Sequence, residues 1–258
     1  MAKQTNVIAL ARNLEKAKDL GVEVRHFDYD SPAVASLQGV DKLYLISGSE
    51  LGKRADQHKK VIDAAKQAGV KYLVYTSLLR ADTSALSLAE EHKLTEEFLK
   101  ESGVSFTILR NGWYTENYTA SIPAALQLGA FYGAAGEGKI ASASREDFVD
   151  AAIRVLTTDG HEGKTYELAG DNAYTLSELA AEMSRQIGKD IPYVDLSEQD
   201  YAKALTEAGV PADFAAIIAH WDIDAKNGAL FSDDKTLSTL IGRPTTSLAE
   251  MVKIALAK

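Results

Sequence analysis

A few short segments of this 258-residue chain carry the side chains that could hold a small organic molecule and work on it. Arg12 closes the apolar run Val7–Ala11. Where a strand of a dinucleotide-binding fold ends, an acid bonds the ribose diol of NAD, whereas a guanidinium suits the 2′-phosphate of NADP. Lys16 and Lys18 follow it on the next stretch. A solvated surface arginine is the plainer account of the same residue. Asp28 closes another strand-like run, Val22–Phe27, beside Tyr29, where a carboxylate can accept an adenine amino group or simply form a turn. Ser47, Gly48 and Ser49 follow the run LYLI. Small hydroxyl residues around a glycine let a ligand approach the backbone, and the same triplet also makes an ordinary turn.

The segment RNGWYTENY, Arg110 to Tyr118, holds one Trp, two Tyr and two Asn. Such rings offer an apolar face and a polar edge to a flat ligand. The segment reads as a pocket wall with Tyr114 as a substrate contact, the alternative being a packed connection between lobes. The five histidines show no metal-ligand spacing, and no metal is expected. HEGK at His161 lacks the second histidine of a zinc protease and reads as a surface turn. His92 reads as structural or solvated. With no GxSxG there is no nucleophile elbow, and with no cysteine there is no thiol catalysis, disulfide or cysteine-ligated metal.

Positioning these residues requires a framework. Val7–Ala11, Val22–Phe27, Lys42–Ser47, Lys71–Thr76 and Ser105–Leu109 read as strands. Leu14–Leu20, Pro32–Leu37, Arg54–Ala68 and Ala89–Glu101 read as the helical crossovers between them. Runs such as LYLI and YLVY are apolar on both faces, as in a parallel sheet covered by helices on each side. In such a sheet ligands bind beyond the carboxyl ends of the strands, where Arg12, Asp28, Ser47–Ser49, Thr76–Leu79 and Arg110–Tyr114 stand. After residue 120 the rhythm changes. Phe131–Gly133 and Thr165–Leu168 read as short strands. Ser144-x-x-Asp147, Thr175-x-x-Glu178, Ser197-x-x-Asp200 and Ser247-x-x-Glu250 each read as a capped helix start. The expected organisation is a dinucleotide-binding core over 1–120 and a mostly helical substrate lobe over 121–258, continuous with it.

The formal net charge of −9 argues against nucleic acid and anionic membranes as partners. No apolar run approaches the ~20 residues of a membrane helix. The opening MAKQTN leaves no room for a signal peptide's apolar stretch, so a cytoplasmic location is expected.

Taken together, ALARNLEKA, GVEVRHFDYD, GVDKLYLISGSE, AGVKYLVYTSLLRADTS, TILRNGWYTENY, AAGEGKIASASREDF, GKTYELAGD and LIGRPTTSLAE resemble the NmrA-like group of atypical short-chain dehydrogenases. The resemblance runs from about residue 7 to the C-terminus. It implies a Rossmann-like, doubly wound α/β fold, NADPH as cofactor and two-electron reduction of quinones. It also implies that Arg12 takes the 2′-phosphate and that Ser47, Gly48 and Ser49 line the cofactor. Asn111 would sit at the junction of nicotinamide and substrate, so Asn111 and Tyr114 are the candidate catalytic positions. The YxxxK pair of ordinary short-chain dehydrogenases is absent, with His92 roughly in the lysine's place.

Members of that group open with a strand, a GATGxxG turn and a helix, none of which precedes Val7 here. That strand is central in the usual order, so its neighbours are expected to close up, stay unpaired or recruit another strand. Exposed edges would favour a homo-oligomer, and a weaker pyrophosphate grip would impair the enzyme. Two rival readings are an NmrA-like nucleotide sensor without turnover and a non-functional truncated product.

Overall fold

The alternating apolar runs of the first half become strands, and the charged stretches between them become helices. The computed structural model describes residues 6–257. The first half runs β1 (Ile8–Ala11), α1 (Leu14–Ala17), β2 (Glu23–His26), β3 (Lys42–Leu45), α2 (Arg54–Gln67), β4 (Tyr72–Leu78), α3 (Ala89–Ser102) and β5 (Ser105–Asn111). It continues with α4 (Glu116–Thr119), α5 (Ile122–Leu128), β6 (Phe131–Gly133), α6 (Arg145–Thr157), β7 (Thr165–Leu168) and α7 (Leu176–Ile187). The last part is β8 (Tyr193–Asp195), α8 (Glu198–Glu207), α9 (Ala212–Lys226), α10 (Thr236–Ile241) and α11 (Leu248–Leu256).

Two compact units are present. Residues up to Asp82, Leu88–Arg110 and Ala152–Tyr166 form the first; Thr83–Ser87, Asn111–Ala151 and Glu167 onward form the second. In the first unit β1 pairs with β2 in parallel, Ile8 opposite Glu23, and β3 pairs with β4 in parallel, Lys42 opposite Tyr72. The four-stranded order is β3-β4-β5-β7. Among the described residues β1 does not pair with β3, so its ladder has not closed up against that strand. The two ladders share a core in which Phe27, Leu37, Leu45, Ile62, Leu73 and Leu99 are buried together. β4, with the sequence YLVYTSL, is buried at every position, as a strand covered on both faces should be.

The inward stripes of α2 and α3 explain where the site's supports come from. On α2 the buried positions are Arg54, Gln57, His58, Val61, Ile62, Ala64 and Ala65. On α3 they are Ala89, His92, Thr95, Glu96, Leu99 and Ser102. Both follow the three-and-four spacing of one helix face, and both stripes carry polar and charged groups as well as apolar ones.

Local differences from the sequence reading have physical causes. The stretch Leu14–Leu20 splits into α1 and a 3₁₀ turn over Lys18–Leu20, which ends at Gly21 with φ +70°. Pro32–Leu37 gives only a 3₁₀ turn at Val34–Leu37. β5 runs two residues beyond Leu109, because the pairing next to it continues: the Gly112 N–H donates to the Leu168 carbonyl at 2.7 Å. Arg110 and Asn111 are therefore strand residues rather than loop residues.

In the second unit all four expected helix starts are capped. The Thr175 hydroxyl accepts the Glu178 N–H while the Glu178 carboxylate accepts the Thr175 N–H. Ser197 and Ser247 cap α8 and α11 by the same acceptor contact, and the Asp147 N–H donates to Ser144 Oγ at the start of α6. β6 and β8 pair in parallel. Gly170 is required by close approach, since a Cβ there would land on the Ser142 carbonyl. No helix among the described residues is long and apolar enough to cross a membrane.

Candidate cofactor and substrate site

In the first unit the candidate residues gather at the carboxyl ends of β1, β2 and β3. Arg12 follows β1 and is exposed; its Nη1 lies 3.2 Å from Glu50 Oε1. Asn13 beside it caps α1, its Oδ1 accepting the Lys16 N–H. Asp28 follows β2, where its Oδ1 accepts the Asp30 N–H at 2.9 Å. That is the turn-forming role, and it occupies one of the two carboxylate oxygens. Tyr29 next to it donates its hydroxyl to the Ile46 carbonyl at 2.9 Å, tying the end of β2 to the end of β3. Burial pushes the Tyr29 phenol up to about 12, so it stays protonated and a donor.

The turn Ser47–Ser49 is held by side chains of the helices and strand behind it. The Ser47 N–H donates to Thr76 Oγ1 at 2.8 Å. The Gly48 N–H donates to His58 Nε2 at 2.9 Å, and Arg54 Nε donates to the Gly48 carbonyl at 2.7 Å. Arg54 is itself buried and paired with Glu91 at 3.3 Å. The other Glu91 oxygen accepts the N–H groups of Gly52 and Arg54 at the start of α2. A Cβ on residue 48 would stand 3.4 Å from Gln57 Oε1, at the edge of ordinary contact.

Behind the turn, aromatic rings pack edge to face: Tyr29 on His58 at 6.1 Å between centroids, and His58 on Tyr75 at 5.4 Å. His92 Nδ1 lies 2.7 Å from the Tyr75 hydroxyl. Burial first, and then the positive charge of Arg54, push His58 and His92 each down to about 3. Both are buried and neutral near pH 7, so His92, which the sequence left as structural or solvated, is not a solvated residue.

Arg110, the first residue of the aromatic segment, turns inward. It is 8% exposed, and its Nε and Nη2 meet both oxygens of the buried Glu96 at 2.9 and 2.8 Å. Asp82 and Ser77 complete the cluster. This planar two-point pairing is structural.

In the second unit Asn111 ends β5. It is 4% exposed, and its Oδ1 is buried with no hydrogen-bond partner. A buried acceptor without a donor costs about 1–3 kcal/mol unless something supplies one. A carboxamide N–H of a nicotinamide has the chemistry that oxygen lacks, so this position fits the cofactor. Trp113 stands edge-on to Trp221 at 5.6 Å, and Trp221 to Phe214 at 6.1 Å. The Tyr114 ring packs against Phe148 at 5.4 Å, with the Arg145 guanidinium 4.1 Å over its face. His161 bonds Thr158 and Tyr166. Among the described residues no group of three metal-ligating side chains is placed to hold an ion.

Sequence reasoning missed His58, Arg54 and Glu96. The signal was present: each falls on the helical phase of its apolar neighbours, and a polar group at an inward position must have a partner.

The fold is thus a Rossmann-like α/β protein with its candidate residues at the carboxyl ends of parallel strands. The family described as NAD(P)H-binding matches residues 1–159. The chain belongs to this NAD(P)H-binding, NmrA-like family. It is 56% identical over 253 residues to quinone oxidoreductase 2 of Escherichia coli (strain K12), covering 96% of this chain and 88% of that protein. Among solved structures it resembles the NADPH-dependent quinone oxidoreductase of Escherichia coli complexed with NADPH. The TM-score is 0.94 and the identity 55%, over 99% of this chain and 93% of that one. The triphenylmethane reductase of Citrobacter sp. is 36% identical with a TM-score of 0.92, over 100% and 93%.

Proposed function

We propose that this protein is an NADPH-dependent quinone oxidoreductase of the cytoplasm, an atypical member of the short-chain dehydrogenases. The first unit is its nucleotide-binding part, and the second provides the substrate side. The observation that carries the reading is the 56% identity, across nearly the whole chain, to an enzyme named for this activity. The geometry supports it. Arg12 at the end of β1 offers an exposed guanidinium, the group suited to the 2′-phosphate of NADPH. Ser47 and Ser49 flank a glycine held firmly in place. A buried, unpartnered Asn111 oxygen waits for a donor.

When bound, the reduced nicotinamide supplies a hydride. The chain's own residues then have positioning roles. Arg12 supplies charge for the phosphate, and Asp28 presents its second oxygen to the adenine. Ser47, Gly48 and Ser49 shape the wall behind the cofactor. Asn111 orients the nicotinamide toward the substrate, and Tyr114 meets the quinone. Holding reactants in a productive geometry accounts for a large share of such catalysis without a side-chain acid.

The test is NADPH oxidation followed at 340 nm with a soluble benzoquinone, run beside NADH and beside direct binding of each. Turnover with NADPH favoured supports the reading. Tight nucleotide binding with no turnover against a panel of quinones would point instead to a sensor.

A further inference from the structure

Helix α2 grips one residue of the candidate cofactor turn from both sides. His58 and Arg54 are four residues apart on the inward stripe, so they project in the same direction one turn apart. Arg54 donates to the Gly48 carbonyl and His58 accepts the Gly48 N–H. Both polar groups of Gly48 are therefore turned into the protein. The Ser47 hydroxyl also donates to the Gly48 carbonyl, at 3.3 Å, which leaves the exposed Ser49 as the outward side chain of the turn.

We propose that His58 is a positioning residue for the dinucleotide: by accepting the Gly48 N–H at Nε2, it holds the Ser47–Ser49 turn in the shape that receives the cofactor. The inference rests on that turn being a cofactor contact, as read above.

The tautomer follows from the hydrogen bonds. A backbone N–H can only donate, so His58 Nε2 is bare. In the neutral ring the proton then sits on Nδ1, 3.0 Å from Thr95 Oγ1. The Thr95 hydroxyl passes its own proton to the Glu91 carbonyl at 2.8 Å, so its oxygen is free to accept. A one-way series results: Gly48 N–H to His58, His58 Nδ1–H to Thr95, Thr95 O–H to Glu91. Glu91 in turn receives Arg54, the other hand on Gly48. His58 and Thr95 are fully buried and Gly48 and Glu91 half-buried, so the ring is shielded from solvent. Protonation of His58 would put a second donor against the Gly48 N–H. Burial and the adjacent Arg54 charge hold the ring neutral far below pH 7. A histidine placed only to fill space would need none of this order.

The experiment combines ring-nitrogen NMR on histidine-labelled, cofactor-free protein with NADPH titration calorimetry and steady-state kinetics. The variants are His58→Leu, His58→Gln, Thr95→Val and, as a control on the turn, Ser49→Asp. The spectrum of the wild type should show His58 protonated at Nδ1 and bare at Nε2. His58→Leu should weaken NADPH binding about tenfold, the effect of one lost hydrogen bond to a preorganised site. Its kcat at saturating NADPH should stay near the wild-type value. His58→Gln should recover most of the affinity, because its amide oxygen can accept from Gly48. Thr95→Val, which preserves shape, should release the tautomer and weaken binding in the same direction; it carries the test if His58→Leu does not fold. A proton found on Nε2 overturns the proposal. So does unchanged NADPH affinity in folded His58→Leu while Ser49→Asp binds poorly, which leaves the cofactor reading of the turn standing. Unchanged affinity in both variants overturns the two together.

Discussion

The guanidinium of Arg12 lies 3.2 Å from the carboxylate of Glu50, joining the end of β1 to the turn after β3. Lys53 Nζ reaches the other Glu50 oxygen at 3.4 Å. Both partners of the Arg12 pair are exposed, so the pair itself adds little stability. Its interest is that a 2′-phosphate would compete with Glu50 for the same donors. Glu50→Gln should therefore tighten NADPH and leave NADH nearly unchanged. Arg12→Ala should cost NADPH about 1.5–3 kcal/mol, typical of a hydrogen bond to a charged group, and abolish the preference over NADH. Calorimetry on the three proteins with both cofactors checks this; equal affinities in the wild type would refute the assignment of Arg12.

Asn111 gives a prediction in which stability and activity part company. Its Oδ1 is buried and unpartnered, so truncation removes a group that costs the unliganded protein free energy. Asn111→Ala should lower kcat/KM clearly while leaving the melting temperature near the wild-type value. A melting temperature that falls together with activity would mark Asn111 as a packing residue instead.

Trp113 and Trp221 are the two tryptophans of the chain, and their rings touch edge to face. Fluorescence of the native protein therefore mixes both. In Trp221→Phe, a soluble quinone should quench Trp113 along a saturable curve if the aromatic segment meets the substrate, and Tyr114→Ala should weaken that response. Quenching that climbs linearly in both backgrounds would be collisional.

Acid should destabilise the protein from about the ordinary histidine value downward. His58 and His92 ordinarily titrate near 6.5 but are held to about 3 in the fold. A depressed folded value means the stabilisation is fully present above 6.5 and is lost as pH falls toward 3, because only the unfolded chain takes up the protons. Each such proton removes about 1.4 kcal/mol per pH unit within that window. Asp222 acts in the opposite sense. Burial raises it from 3.8 to about 6 although the Ala134 N–H and the Tyr118 hydroxyl donate to it. Between about 6 and 3.8 the folded protein holds a proton there that the unfolded chain does not. In denaturant titrations across pH 4.5–6.5, His58→Gln should make the acid slope shallower and Asp222→Asn should make it steeper. A slope unmoved by either change would show that other groups control the acid limb.

The sequence carried the architecture well and the site only in outline. β4 and α2 are legible because seven consecutive apolar or small residues and an unbroken helical stripe admit few other structures. Thr175, Ser197 and Ser247 announced their helices because capping is local chemistry. Asp28 shows the limit, since one carboxylate type serves both a turn and a ligand. Arg110 shows it more sharply: it stands among aromatic residues, yet its partner Glu96 is fourteen residues away on another element. Long-range pairing of that kind leaves no periodic trace. The role of His58 was visible only as a polar interruption of an apolar stripe.

The separation of the β1–β2 ladder from the β3-β4-β5-β7 ladder has a dynamic consequence. No backbone bond links them among the described residues. Their coupling runs through side chains: the Tyr29 hydroxyl on Ile46, Gln57 on Asp30, Lys60 on the Asp30 carbonyl, and the shared apolar core. Side-chain contacts give way with less cooperativity than a continuous ladder. The edge bearing Arg12 should therefore open as its own exchange unit, its amides trading hydrogen for deuterium well before those of the wholly buried β4. Because that opening would break up the surface expected to receive the nucleotide, ligand and local order would be thermodynamically linked, and added NADPH should slow exchange in β1 and β2 more than anywhere else in the first unit.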